Sequence, residues 1–201
     1  MNKEIFLIRH GRTEYNRLGI WQGSGVDSSL DELGQMQAEK FFKHYRDQEF
    51  DIVFHSNLRR SKETIQPFIN DGVLAVESPL IREISWGHFE GHPHTEESID
   101  TYKKVVGGWS RDEYELRFPG GESARDLEKR LTEFVESLRQ LKQEKVLICS
   151  HGRAIRGLLC VMRAEPLKEM EKYQHENTGL FYAVQSGSSF NFLKLNNTDH
   201  L

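Results

Sequence analysis

His-Gly-Arg occurs twice in this chain, at His10–Arg12 and at His151–Arg153. Each copy follows a short apolar run, Ile5-Phe6-Leu7-Ile8 before the first and Val146-Leu147-Ile148-Cys149 before the second. A strand, then a turn with a histidine and a glycine, then a helix is how an α/β sheet presents groups at the carboxyl ends of its strands, where ligands bind. Two such ends that converge would meet one small anionic group with two imidazoles and flanking arginines. Guanidinium is the side chain best shaped for bidentate contact with phosphate.

The chemistry open to these residues is phosphoryl transfer. In Arg9-His10-Gly11-Arg12-Thr13 a neutral His10 imidazole is a competent nucleophile, and its product is a phosphohistidine. Gly11 lets the backbone turn and leaves its N–H open to an anion, and Arg9 would neutralise phosphoryl oxygens. Ser150-His151-Gly152-Arg153 supplies a second imidazole, able to donate to the transferring group from a ring nitrogen. Ser56-Asn57-Leu58-Arg59-Arg60-Ser61 opens a helix after a strand, and a helix N-terminus attracts phosphate. Residues 82–91 carry Glu83 and Glu90, either of which could protonate a leaving alkoxide. Each motif has a plainer reading: a structural histidine, a solvated basic face, a surface glutamate. Their co-occurrence weighs against it.

Five blocks stand in a fixed order: Arg9-His10-Gly11 with Thr13 and Asn16, Ser-x-Leu-x-Arg-Ser-x-x-Thr at 56–64, Glu-x-x-x-Gly-x-x-Glu-Gly at 83–91, Pro119-Gly120-Gly121-Glu122-Ser123, and Ser150-His151-Gly152. Together they closely resemble the histidine phosphatase superfamily, also called the phosphoglycerate-mutase-like family, over about residues 4–180. The resemblance implies that His10 is the phosphorylated nucleophile, Glu83 the general acid and base, and His151 the group that completes the pocket. It makes Arg9 and Arg60 phosphate ligands, with Asn16 and the Gly152 amide as secondary contacts. Arg60 is preferred to Arg59 because it holds the Arg position of the second block. The implied fold is a three-layer α/β/α sandwich with a mostly parallel sheet and an antiparallel strand. No metal or organic cofactor is implied.

The activity implied is a metal-independent phosphomonoesterase acting on a small phosphorylated metabolite. In style the chain is nearest to the small bacterial phosphatases of the α-ribazole-phosphate phosphatase type, because its 84–121 segment is compact. The family's cofactor-dependent phosphoglycerate mutases typically carry a larger insertion there, and they are the alternative. A non-catalytic phospho-ligand-binding module is a second alternative. Arg9, His10, Arg60, Glu83 and His151 are all present, so nothing points to degeneration.

The elements that must position these groups alternate between strand and helix, which argues for a parallel sheet covered on both faces. Residues 4–8, 51–54, 73–77 and 146–149 read as strands. A helix is expected over 31–47, a second from a Ser56 cap to near Pro67, and a third from about Arg153 to Met162. Ser123-Ala124-Arg125-Asp126 opens the clearest helix in a capping-box pattern, with Leu127, Leu131, Phe134, Val135, Leu138 and Leu141 as its apolar stripe. Residues 84–121 form an irregular insertion with some helix near Tyr102–Val106, suited to shaping access to a site. The segments 180–185 and 190–195, joined by Ser186-Gly187-Ser188-Ser189, read as a hairpin that adds an antiparallel edge.

The 201 residues fit a single domain, 1–201, and 37% hydrophobic content suffices for its core. A net charge of −4 argues against general nucleic-acid binding. Met1-Asn2-Lys3-Glu4 leads directly into a strand, and no apolar run reaches membrane-spanning length. Cys149 and Cys160 read as buried small hydrophobes in a cytoplasmic protein. Six residues separate Cys149 from Arg156, one too many for a tyrosine-phosphatase loop. His88, His92 and His94 could suggest a metal, but Gly91 and Pro93 break any helix that would align them. Phosphate-loop and dinucleotide fingerprints are absent. Trp21, Gln22, Trp86, Phe89, His92, Tyr102 and Trp109 are candidates for the pocket mouth.

Overall fold

The structure, a computed structural model, describes residues 3–201; Met1-Asn2 of the N-terminal segment lie outside the described residues. Six strands form one sheet: β1 (Lys3–Arg9), β2 (Ile52–His55), β3 (Ala75–Glu77), β4 (Lys145–Ser150), β5 (Leu180–Ser186) and β6 (Ser189–Asn197). Their order is β3-β2-β4-β1-β5-β6. The pairings from β3 to β1 are parallel, whereas β5 runs antiparallel to both β1 and β6. The late hairpin therefore adds to the sheet beside β1, turning at Gly187-Ser188.

Six helices accompany the sheet: α1 (Glu14–Leu18), α2 (Glu32–Tyr45), α3 (Arg59–Asn70), α4 (Glu96–Trp109), α5 (Ala124–Gln140) and α6 (Gly152–Arg163). Side chains alternate across a strand, and the two cores follow that alternation. Ile5, Leu7, Val146 and Ile148 pack with Leu131, Val135, Ile155 and Leu158 of α5 and α6. Phe6, Ile8, Leu147 and Cys149 pack with Phe41, Tyr45, Ile65 and Phe68 of α2 and α3. The result is the three-layer α/β/α arrangement.

Several local expectations change. α3 is not capped by Ser56; Leu58 holds the N-cap position and offers no side-chain bond. The helix also runs through Pro67 to Asn70, giving up only the one hydrogen bond that proline cannot donate. β3 is shorter than 73–77 because the Val73 N–H is taken by Phe68 O at the end of α3. The 31–47 helix ends at Tyr45 and continues as a 3-10 turn at Arg46–Gln48. Within 84–121, the helix spans fourteen residues under a Thr95/Ser98 capping box. The Ser123/Asp126 capping box forms as expected.

One close approach fixes the loop after β1. A Cβ on Gly34, in the first turn of α2, would lie 2.0 Å from Arg12 O, and one on Gly11 would lie 2.6 Å from Gly34 O. Two backbones meet here with no room for a methyl group. Gly34→Ala is expected to destabilise the protein by about 1–3 kcal/mol through overpacking, read as a lower urea midpoint. An unchanged midpoint would show that the turn can yield.

Candidate active site

Arg9 pairs with Ser150 in the parallel β1–β4 ladder, so the two strands end level. The next residues, His10 and His151, therefore leave the sheet side by side, with ring centroids 5.1 Å apart. His10 N–H donates to Ser150 O at 3.0 Å and extends the ladder by one bond. His10 Nδ1 lies 2.7 Å from Gly11 O. A carbonyl can only accept, so the proton is on Nδ1 and Nε2 keeps its lone pair. Burial, followed by the charges of Arg60 and Arg9, holds His10 well below the ordinary histidine range. The ring is neutral and its tautomer is set.

His151 holds the N-cap position of α6 without a side-chain capping bond, and both its ring nitrogens are partnered. Arg60 Nε donates to its Nδ1 at 3.2 Å, which leaves Nε2–H to donate to Ser56 Oγ at 2.7 Å. Ser56, read from the sequence as a helix cap, orients this imidazole instead. Both ring nitrogens of His151 thus have partners within the protein, Arg60 and Ser56.

The 56–64 motif is a set of ties between α3 and the strand ends. Ser61 Oγ donates to Cys149 O at 2.8 Å, Gly11 N–H donates to Thr64 Oγ1 at 2.9 Å, and Thr64 Oγ1 donates to Arg60 O at 2.7 Å. Arg60 is fully buried, and burial pushes it down to about 10. Its Nη1 donates to Val26 O at 2.7 Å and its Nη2 to Gly23 O at 3.1 Å. One N–H on each remains. Arg59 lies at the surface, its Nη1 reaching Ser29 Oγ at 3.3 Å.

Glu83 is brought to the N-terminus of α6. Its Oε2 accepts from Arg153 N at 3.1 Å, and its Oε1 accepts from Ala154 N at 3.0 Å and Ile84 N at 2.9 Å. Helix N-termini favour carboxylates in this position. The backbone around Glu83 is clamped by Arg130, which donates to Leu80 O, Arg82 O and Glu83 O and pairs with Glu122 at 3.0 Å. That gives Glu122 of the Pro-Gly-Gly-Glu-Ser block its part. Glu90 takes a different one: it accepts from Gly25 N, Ser85 Oγ and Trp86 N, and so braces the 22–28 loop.

Arg9, Asn16, Glu83 and Gly152 line one cleft of about 470 Å³. His10, Arg60 and His151 do not line it. His10 follows Arg9 and His151 precedes Gly152 in the chain, Arg60 bonds His151, and His10 is 2% exposed. Asn16 Oδ1 accepts from Thr13 N in the α1 capping box, so its amide hydrogens remain for the cleft. Of the proposed mouth residues, Trp21, Gln22, Trp86 and Tyr102 line it; Phe89, His92 and Trp109 do not.

The sequence reading missed His175, Arg153 and Arg156 as cleft residues. His175 carried no motif. Arg9 Nη1 donates to His175 O at 3.1 Å and reaches its Nδ1 at 3.3 Å, which puts that ring's proton on Nε2. A Cβ on Gly152 would lie 2.9 Å from His175 Cε1, so a larger residue there would require the His175 ring to shift. Arg153 and Arg156 sat in and beside the second His-Gly-Arg, but nothing in their spacing shows which way they point.

Among the described residues no cluster of His, Cys, Asp or Glu is arranged to hold a metal, and no helix is long and apolar enough to cross a membrane. Cys149 and Cys160 are free and buried, each thiol pushed up to about 12 chiefly by burial.

The profile of the histidine phosphatase superfamily (branch 1) matches residues 5–198. A putative phosphoserine phosphatase 2 of Hydrogenobacter thermophilus is 29% identical over 200 residues, covering 98% of this chain and 97% of that one. A 2,3-bisphosphoglycerate-dependent phosphoglycerate mutase of Allorhizobium ampelinum is 30% identical over 171 residues, covering 81% and 80%. The crystal structure of a putative alpha-ribazole-5'-P phosphatase from Escherichia coli superimposes with a TM-score of 0.85 at 22% identity, covering 97% and 96%. That likeness is one of fold.

Neutral buried imidazoles have a consequence for stability. His10 and His151 are held well below the usual range, and burial pushes His175 down to about 3 and His200 down to about 4. The unfolded chain takes up protons at these positions as pH falls through about 6.5, and the folded chain does not. Their contribution is whole above that pH and is lost as pH drops towards the folded values. The unfolding free energy is expected to fall by at least about 1.4 kcal/mol per pH unit between pH 6 and 5, measured by urea titration. A flat profile there would contradict neutral burial.

Proposed function

The chain belongs to the histidine phosphatase superfamily, and on that premise we propose that it hydrolyses a small phosphorylated metabolite through a phosphohistidine on His10, without a metal. The observation that carries this reading is the locked tautomer: Gly11 O holds His10 Nδ1–H and so presents the Nε2 lone pair as a nucleophile. A cytoplasmic setting accords with the two free, buried thiols.

In the first step His10 Nε2 attacks phosphorus in line. The N–P bond forms as the ester P–O bond breaks, and Glu83 gives its proton to the departing oxygen. The free N–H groups of Arg9 and Arg60, the Gly152 amide and the Asn16 amide take the negative charge of the phosphoryl oxygens. His151 keeps the Arg60 fork in place, and Ser56 keeps His151 in place. In the second step the Glu83 carboxylate removes a proton from water, the oxygen attacks phosphorus, and the N–P bond breaks to return neutral His10 and inorganic phosphate.

His10→Ala is expected to abolish both p-nitrophenyl phosphate turnover in EDTA and the trapping of acid-labile, base-stable phosphoprotein. Glu83→Gln is expected to lower kcat by about 10²–10⁴-fold for an ester with a poor leaving group. Activity that survives His10→Ala would sink the assignment. Trapping without net hydrolysis would point instead to the mutase.

A further inference from the structure

The turn at residues 175–178 touches the end of β1 three times. His175 O accepts from Arg9 Nη1 at 3.1 Å, Asn177 Nδ2 donates to His10 O at 2.8 Å, and Thr178 N–H donates to Arg9 O at 3.0 Å. Arg9 and His10 are thus held by this turn as well as by the β1–β4 ladder.

Thr178 is strained there. Its φ is +57°, a left-handed backbone that a β-branched residue reaches only as an outlier. Such a conformation persists where the surroundings over-determine it. Thr178 is fully buried, and its Oγ1 donates to Asn177 O at 2.8 Å. That uses the hydroxyl's one hydrogen, so at 3.0 Å from His200 Nε2 the oxygen accepts and His200 donates.

His200 is built into the fold. It is 7% exposed and packs on α2, with ring centroids 5.0 Å from Phe41 and 5.8 Å from Tyr45. Burial first, and then His44, outweigh Asp199 and keep the ring neutral, at about 4. With its proton on Nε2 the ring keeps a lone pair on Nδ1, which finds no partner among the described residues. Its polar tie is the one to Thr178. His200 does not line the cleft, so any effect on the reaction passes through the turn.

We propose that His200 is a positioning residue for phosphoryl transfer: by donating to Thr178 Oγ1 it holds the strained turn that places Arg9 and His10. This rests on the phosphomonoesterase reading above.

A double-mutant cycle on kcat/KM for p-nitrophenyl phosphate tests it, because that ratio reports the steps up to departure of the leaving group. His200→Leu fills the space without a donor and is expected to lower kcat/KM about tenfold, since small misplacements of reacting groups are costly. His200→Gln, whose Nε2 can donate to the same oxygen, is expected to recover most of that loss. Thr178→Gly keeps the N–H that holds Arg9 O and takes the positive φ without strain. In that background His200→Leu is expected to cost less than about twofold. A residue that merely packs against α2 would cost the same in both backgrounds. A loss below about twofold in the parent background, equal losses in both, or Gln no better than Leu overturns the proposal and leaves the phosphomonoesterase standing. Should Thr178→Gly not fold, the comparison of Leu with Gln decides. A wild type that neither hydrolyses p-nitrophenyl phosphate nor traps phosphate on His10 overturns the phosphomonoesterase, and this proposal with it.

Discussion

Positive charge is concentrated around the ends of β1 and β4, on the partly buried Arg9 and the buried Arg60. Arg60 is fully buried, and Arg9 loses proton affinity through burial before any other cause. Desolvating such an ion costs several kcal/mol unless its hydrogen bonds are met. Much of the surrounding structure answers that demand. Val26 O and Gly23 O take Arg60, His175 O takes Arg9, and the imidazoles beside them stay neutral. An anion is the ligand that such a place favours.

The same demand explains why so much of the chain serves the site without touching a ligand. The 22–28 loop must lie against Arg60, and Glu90 holds it there through Gly25 N. Glu83 must reach the α6 N-terminus, and the Arg130–Glu122 pair fixes the backbone that carries it. Ser61 and Thr64 tie α3 to β4 and to the turn after β1. Loss of any one tie moves a charged group rather than merely loosening a loop, because the ions they hold have few alternatives in a low dielectric.

The substrate side of the cleft follows a different logic. Trp21, Trp86 and Tyr102 supply apolar wall, brought there by the 84–121 segment and the loop after α1. Trp21 donates from Nε1 to Ser98 Oγ at 3.0 Å, which links that loop to α4. The end of β1 and the start of α6 supply Arg9 and Gly152, whereas the loop after α1, the 84–95 segment and α4 supply the apolar wall.

What the sequence determined by itself was local. Apolar runs ended by His-Gly placed the strand ends at His10 and His151, and the family resemblance singled out Arg60 over Arg59, of which the fold buries the first and exposes the second. The Ser123 capping box and the α5 stripe needed only neighbours three and four residues away. Only the tertiary structure decided partners. Ser56 reads as a cap until His151, ninety-five residues on, arrives at its hydroxyl. α3 passes through Pro67 because its face of Ile65 and Phe68 is buried against the sheet, and that burial outweighs a lost backbone bond. His175 enters the cleft with its carbonyl accepting from Arg9 Nη1 at 3.1 Å. Arg156 faces the cleft too, where its Nη1 donates to Glu171 Oε2 at 2.6 Å. Spacing along a chain fixes which residues share a face, whereas the matching of charges and donors depends on which faces meet.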